Sequence, residues 1–144
     1  MEHTPHCTAL GMQVVRVGPR EAVIRLPHRA DLIGDPVRQV VFGGVITTLL
    51  DHASGLAVFC SLSELTAIAT LDLRIDYLRA AEPGADLYGR AECYKLGANV
   101  AFVRGTAWDR SPDEPFASHL ATMMIGANAT QSPLARAIQE RTKP

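Results

Sequence analysis

The chain has 144 residues, 47% of them hydrophobic and 20% charged, with a formal net charge of −1. That length suits a single domain, residues 1–144 with a core over about 10–127, stable without disulfides or metals. The near-neutral charge offers no basic surface for nucleic acid or for an anionic membrane.

Two short strands are predicted first, over residues 12–18 and 21–26, joined by a turn at Gly18-Pro19. Residues 27–42, with Pro27, Gly34, Asp35 and Pro36, read as mostly loop. A helix follows from Gly44 to about Cys60, with good helix formers, no proline, and Gly43-Gly44 marking its start. The period then switches to two: Leu71, Leu73, Ile75 and Tyr77 share one face of a half-buried strand, and Thr70, Asp72, Arg74 and Asp76 share the other. Glu82-Pro83-Gly84 turns the chain into a strand over about 86–96. Leu96-Gly97-Ala98-Asn99 makes a hairpin into about 100–109, and Phe116–Ala127 is a last strand. Residues 129–144 read as a tail helix or a disordered tail.

This order predicts an α+β architecture, one long helix against a curved, mostly antiparallel sheet of five to six strands. Val45, Ile46, Leu49, Leu50, Ala53, Leu56, Ala57, Val58 and Phe59 cover nearly the whole helix circumference, so the sheet should wrap it. The stretch Val40–Cys60 is interrupted by Asp51 and His52, which argues for a buried helix over a membrane span. The start of the chain lacks the basic and apolar regions of a secretion signal, so a cytoplasmic location is expected. Cys7, Cys60 and Cys93 fit neither zinc spacing nor a disulfide framework. His3, His6 and Cys7 have no second ligand pair, so no metal or cofactor is expected.

Asp51 is the residue out of place. Asp is a poor helix former in an interior, and burying it unpaired costs several kcal/mol or raises its pKa. Thr47, Thr48, Ser54 and Gly55 share its face. One reading is structural, a buried carboxylate satisfied by those hydroxyls; the other is chemical. At the helix start, Gly43-Gly44 leaves N–H groups uncovered where the macrodipole favours negative charge, a possible oxyanion hole or simply a tight turn into the helix. Eight residues at ~1.5 Å rise separate Gly43 from Asp51 by ~12 Å. If both act on one carbonyl, each must come from a different subunit. His52 lies about 100° around the helix from Asp51 and reads as a packing or surface residue. No serine stands in a nucleophile-elbow context.

The run Val41-Phe42-Gly43-Gly44-Val45-Ile46-Thr47-Thr48-Leu49-Leu50-Asp51, with Ala53 and Gly55 after it, resembles the helix motif of hotdog-fold acyl-CoA thioesterases of the phenylacetic-acid-degradation type. Thr70 to Arg79 resembles that family's following strand motif, and Asp31-Leu32-Ile33-Gly34-Asp35-Pro36 fits the preceding loop. The resemblance covers about residues 10–127. It implies a hotdog fold and hydrolysis of acyl-CoA to free acid and CoA, at a site shared between subunits of a dimer or dimer of dimers.

It further implies that Asp51 attacks the thioester or activates water and that Gly43 donates its N–H to the thioester oxygen. Thr70 would position the water or the carboxylate, and Arg79 would lie near the CoA phosphates. Gly44, Phe42 and Asp35 would line the substrate. Two positions depart from the family: Phe42 stands where His is usual, and Asp35 where many members have Asn, whose amide can donate as a carboxylate cannot. A non-catalytic acyl-CoA-binding protein is the alternative that Phe42 favours. A hydratase ranks last, since it wants a His beside a carboxylate.

Overall fold

The computed structural model describes residues 4–126; the tail read as helix or disordered lies outside them, as does His3. A short helix α1 (Pro5–Leu10) opens the fold and was not expected. Six residues are too few to show a helical period. Its signals were local: Pro5 in the first turn, and Gly11 at φ +70°, whose N–H caps the carbonyls of Cys7 and Thr8. Cys7 is buried in the core.

Strands β1 (Gln13–Gly18) and β2 (Glu21–Leu26) fall where the sequence puts them. The segment read as loop holds a 3-10 turn (Ala30–Leu32) and a small antiparallel ribbon, β3 (Ile33–Asp35) with β4 (Val40–Val41). This ribbon delivers the chain to the long helix α2 (Gly43–Phe59). Then come β5 (Ile68–Tyr77), β6 (Leu87–Leu96), β7 (Val100–Trp108) and β8 (Ala117–Ile125). The main sheet has six strands in the order β1-β2-β6-β7-β8-β5, every pair antiparallel. The β6–β7 hairpin closes at the expected turn, where the Gly97 N–H bonds the Val100 carbonyl at 2.8 Å.

The inner face of this sheet is built from small residues. Ala22, Ala91, Ala101, Ala107, Ala117 and Ala121 are buried, which lets the sheet close around a helix armed with Ile46, Leu49, Leu50 and Val58. At Gly89 the approach is closest: a Cβ there would lie 3.0 Å from Leu49 Cγ. Leu49 and Leu50 have no exposed surface, so truncating either to Ala should cost about 2–5 kcal/mol.

The wrapping is less complete than the helix composition suggests. Along α2, Gly43, Gly44 and Thr47 are exposed, and Thr48, Asp51, His52 and Gly55 are half-buried. Together they leave one stripe of the helix open. Beside it runs β5, a ten-residue edge strand with no neighbour on its outer side among the described residues.

Candidate active site

The helix begins without a side-chain cap. Phe42 is the N-cap residue, with φ −62° and ψ 131°, and its own carbonyl accepts the Val45 N–H at 3.0 Å. Its side chain is 61% exposed. The ring lies across the helix start, because a Cβ on Gly44 would come 2.6 Å from Phe42 Cε1. Gly34 is glycine for a similar reason: a Cβ there would sit 2.8 Å from Phe42 Cα. Gly43 is different. A Cβ there would meet only the Tyr77 hydroxyl, at an ordinary 3.5 Å. Packing within the chain therefore explains Gly44 but does not demand Gly43.

Tyr77, at the end of β5, donates its hydroxyl to the Gly43 carbonyl at 3.3 Å. Thr47 donates to the same carbonyl at 3.1 Å, and Thr48 donates to that of Gly44 at 3.0 Å. These threonines are thus turned back on their own helix, as Ser and Thr in helix interiors often are. They do not satisfy Asp51, so the structural reading of the polar stripe fails at both.

Asp51 is served from the sheet. The Thr70 hydroxyl donates to Asp51 Oδ1 at 2.7 Å, across from β5 to α2. Strict alternation puts Thr70 on the face opposite Leu73 and Ile75. A β-bulge reverses that. Thr70 pairs with Met123 and Asp72 with Thr122, so Leu71 is an extra residue in β5. The extra residue turns Thr70 inward, on the side of buried Met123, and leaves Leu71 56% exposed.

Ser54, one turn beyond Asp51, is fully buried, and its Oγ lies 2.9 Å from Nε2 of His119 on β8. Burial holds the His119 imidazole down at about 4, with the Asp51 charge acting weakly the other way. His52 is also held below its usual 6.5 by burial. Sequence reasoning missed His119 and Tyr77. Tyr77 was legible only as part of an apolar strand face, and nothing local distinguishes His119.

Two expected residues are occupied elsewhere. Arg79 grips Asp109 with both guanidinium arms, at 2.7 and 2.6 Å, and also donates to the carbonyls of Ala80 and Glu114. The Asp109 side chain has no exposed surface, and this guanidinium bonding, with the Glu82 N–H adding to it, holds its carboxyl at about 2. Arg79 thus ties the end of β5 to the β7–β8 connection, with both guanidinium arms engaged within the chain. Asp35 accepts the N–H groups of Val37 and Arg38 at 3.0 and 3.1 Å, closing its own turn. No hydrogen bond joins it to Asp51 or Gly43 among the described residues.

The structure therefore brings Asp51 to Thr70, and Gly43, Gly44, Phe42 and Tyr77 to one another, as two clusters roughly two turns of helix apart. A concavity between Asp76, Arg90, Glu92 and Arg104 lies on the outer sheet face instead. Its arginines are already paired, Arg90 with Glu21 and Arg104 with Glu92; it holds none of the site residues predicted from the sequence, though His119 lines its floor.

Residues 38–116 match the family described as the thioesterase superfamily. The chain is 30% identical over 137 residues to the medium/long-chain acyl-CoA thioesterase YigI of Escherichia coli, covering 86% of this chain and 87% of that protein. A crystal structure of a Pseudomonas aeruginosa protein superposes with a TM-score of 0.77 at 41% identity, over 85% of this chain and 91% of the other. A mutant of the phenylacetic acid degradation protein PaaI from Thermus thermophilus superposes at 0.73 with 28% identity, over 83% of this chain and 97% of the other.

Proposed function

Because the chain belongs to the thioesterase superfamily, with the hotdog fold and thioester hydrolysis that this carries, we propose that it cleaves acyl-CoA to free acid and CoA at a site shared between two subunits, with Asp51 as the catalytic carboxylate. The observation that carries this reading is the 2.7 Å bond from Thr70 to Asp51 on the open stripe of α2. One carboxylate oxygen is fixed by the hydroxyl, and the other is left to act on a carbonyl, directly or through a water. Water adds its oxygen to the acyl carbon, the C–S bond breaks, and the thiol of CoA takes the remaining proton. The thiolate is a good leaving group and needs no strong acid.

The second cluster suits the oxyanion. Gly43 presents an N–H at the positive end of α2, at a position where the chain's own packing does not require glycine. The ~12 Å of helix between it and Asp51 means that one carbonyl cannot reach both in a single chain. A second copy can supply the missing half. The free ten-residue edge of β5 and the open stripe beside it are the surfaces such a copy would cover, and Tyr77 and Leu78 stand exposed there. Dimer and dimer of dimers both satisfy this. The only cofactor-like group in this reaction is the CoA of the substrate. No described helix is long and apolar enough to cross a membrane.

The test is release of thiol from acyl-CoAs of graded chain length, by wild type and by Asp51→Asn. The amide keeps the size and removes the charge, so hydrolysis should fall by at least ~10²-fold with the fold intact. Equal rates would remove Asp51 from the mechanism. Tight acyl-CoA binding with no turnover in wild type would favour a sensing protein, with Phe42 as the reason.

A further inference from the structure

Among the described residues, two side-chain-to-side-chain hydrogen bonds join α2 to the sheet: Asp51 with Thr70, and Ser54 with His119. Both anchors stand on β5 and β8, against which α2 packs less closely than against β6, β2 and β7. Apolar packing holds one side of the helix, and these two bonds hold the side that carries Asp51.

The Ser54–His119 pair is costly where it sits. Ser54 has no exposed surface and His119 only 3%, and His119 Nδ1 has no hydrogen-bond partner among the described residues. A buried polar group with an unmet nitrogen is less stable than an apolar side chain of the same shape. On the neighbouring strand a Cβ on Gly105 would clash first with the Arg90 carbonyl oxygen and then with His119 Cε1, so the ring fills space that a glycine required by the backbone leaves open. Burial keeps the imidazole neutral above about pH 4, so Ser54 meets the same partner throughout the neutral range.

We infer that His119 is a positioning residue for Asp51: by holding Ser54 it fixes the rotation of α2 about its axis, and so keeps the carboxylate against Thr70. The inference rests on the reading of Asp51 as the catalytic carboxylate. The lever arm is short but sufficient. With side chains reaching ~6 Å from a helix axis, a turn of about 10° displaces the carboxylate by ~1 Å. A displacement of that size opens a 2.7 Å hydrogen bond.

Substitution with recovery tests it. His119→Leu should lower kcat by ~10-fold or more while KM stays within ~2-fold, because positioning is lost and binding is not. His119→Gln can place an amide N–H near the Nε2 position and should stay within ~3-fold of wild type. In an Asp51→Asn background, His119→Leu should have no further effect. Ser54→Ala, a smaller change made from the helix side, should repeat the loss and serves if His119→Leu does not fold. Equal losses in both backgrounds, or Gln no better than Leu, would overturn the inference. A crystal structure of Ser54→Ala or His119→Leu gives a readout independent of turnover. The Asp51–Thr70 bond should be broken, and an unchanged bond overturns the proposal. Wild type inert toward acyl-CoA would defeat the proposed function, and this geometric outcome would still decide the role of His119.

Discussion

Replacing His119 with Gln should flatten the pH dependence of stability between pH 6.5 and 4. In the folded protein burial holds His119 at about 4, while in the unfolded chain it takes a proton near 6.5. Between these values the unfolded state binds one more proton, so stability falls as pH falls. The contribution is fully present above 6.5 and is lost as the pH drops through about 4. At about 1.4 kcal/mol for each pH unit across that window, the wild type should lose about 3 kcal/mol from this residue alone. His52 acts in the same direction but is common to both proteins, so it cancels in the comparison. Asp109 does not interfere, because its own loss lies between 3.8 and about 2. Denaturant unfolding at pH 7, 6, 5 and 4.2, followed by circular dichroism, gives both curves. On acidification the wild type should lose stability relative to the variant by most of that amount, whatever their offset at pH 7. Parallel curves would refute the claim that His119 is buried and neutral.

Gly43→Pro removes the N–H while suiting the first helical position, and Phe42 already holds the φ and ψ that a following proline demands. Alone it should be inactive. Mixed with inactive Asp51→Asn it should recover activity in heterodimers, up to about half of the sites, and a freely exchanging mixture that stays inactive would defeat the shared site. Phe42→His should raise kcat or leave it unchanged in the thiol-release assay; a large loss would show that the ring belongs to the acyl pocket. Arg79→Met leaves the Asp109 carboxylate buried without its partner, and discounting for the partly exposed guanidinium it should cost about 2 kcal/mol by thermal or denaturant unfolding. If KM for CoA substrates rises steeply with stability unchanged, Arg79 is a phosphate ligand after all.

Much of this was legible in the chain because its signals are periodic. The seventeen residues of α2 and the two hairpins of the sheet announce themselves by spacing and by turn residues. Asp51 was legible as a violation of its surroundings. What escaped was whatever depends on contact across the sheet. His119 sits 65 residues from Ser54, and no local pattern marks a histidine that faces a serine on another element. The hold of Asp109 on Arg79 escaped in the same way, through a pairing 30 residues distant. The ribbon of β3 and β4 is too short to show alternation, and α1 too short to show a helical period. The open stripe on α2 went unseen because composition describes what a helix could bury and not how far one chain can wrap it.

The bulge at Leu71 gives β5 something like a reading frame. Upstream of it one parity of residue numbers faces the helix, and downstream the other does. Leu71 matters there as a count more than as a side chain. Its identity should be free to drift among residues that tolerate exposure, and deleting it should only remove the bulge, leaving Thr70 opposite Met123 and facing the helix; what would turn Thr70 to solvent is a pairing without the bulge that seats Leu71 opposite Met123. In chains of this kind, a one-residue gap at that point in an alignment would therefore leave the hydroxyl facing the helix, on a strand that alternates without interruption.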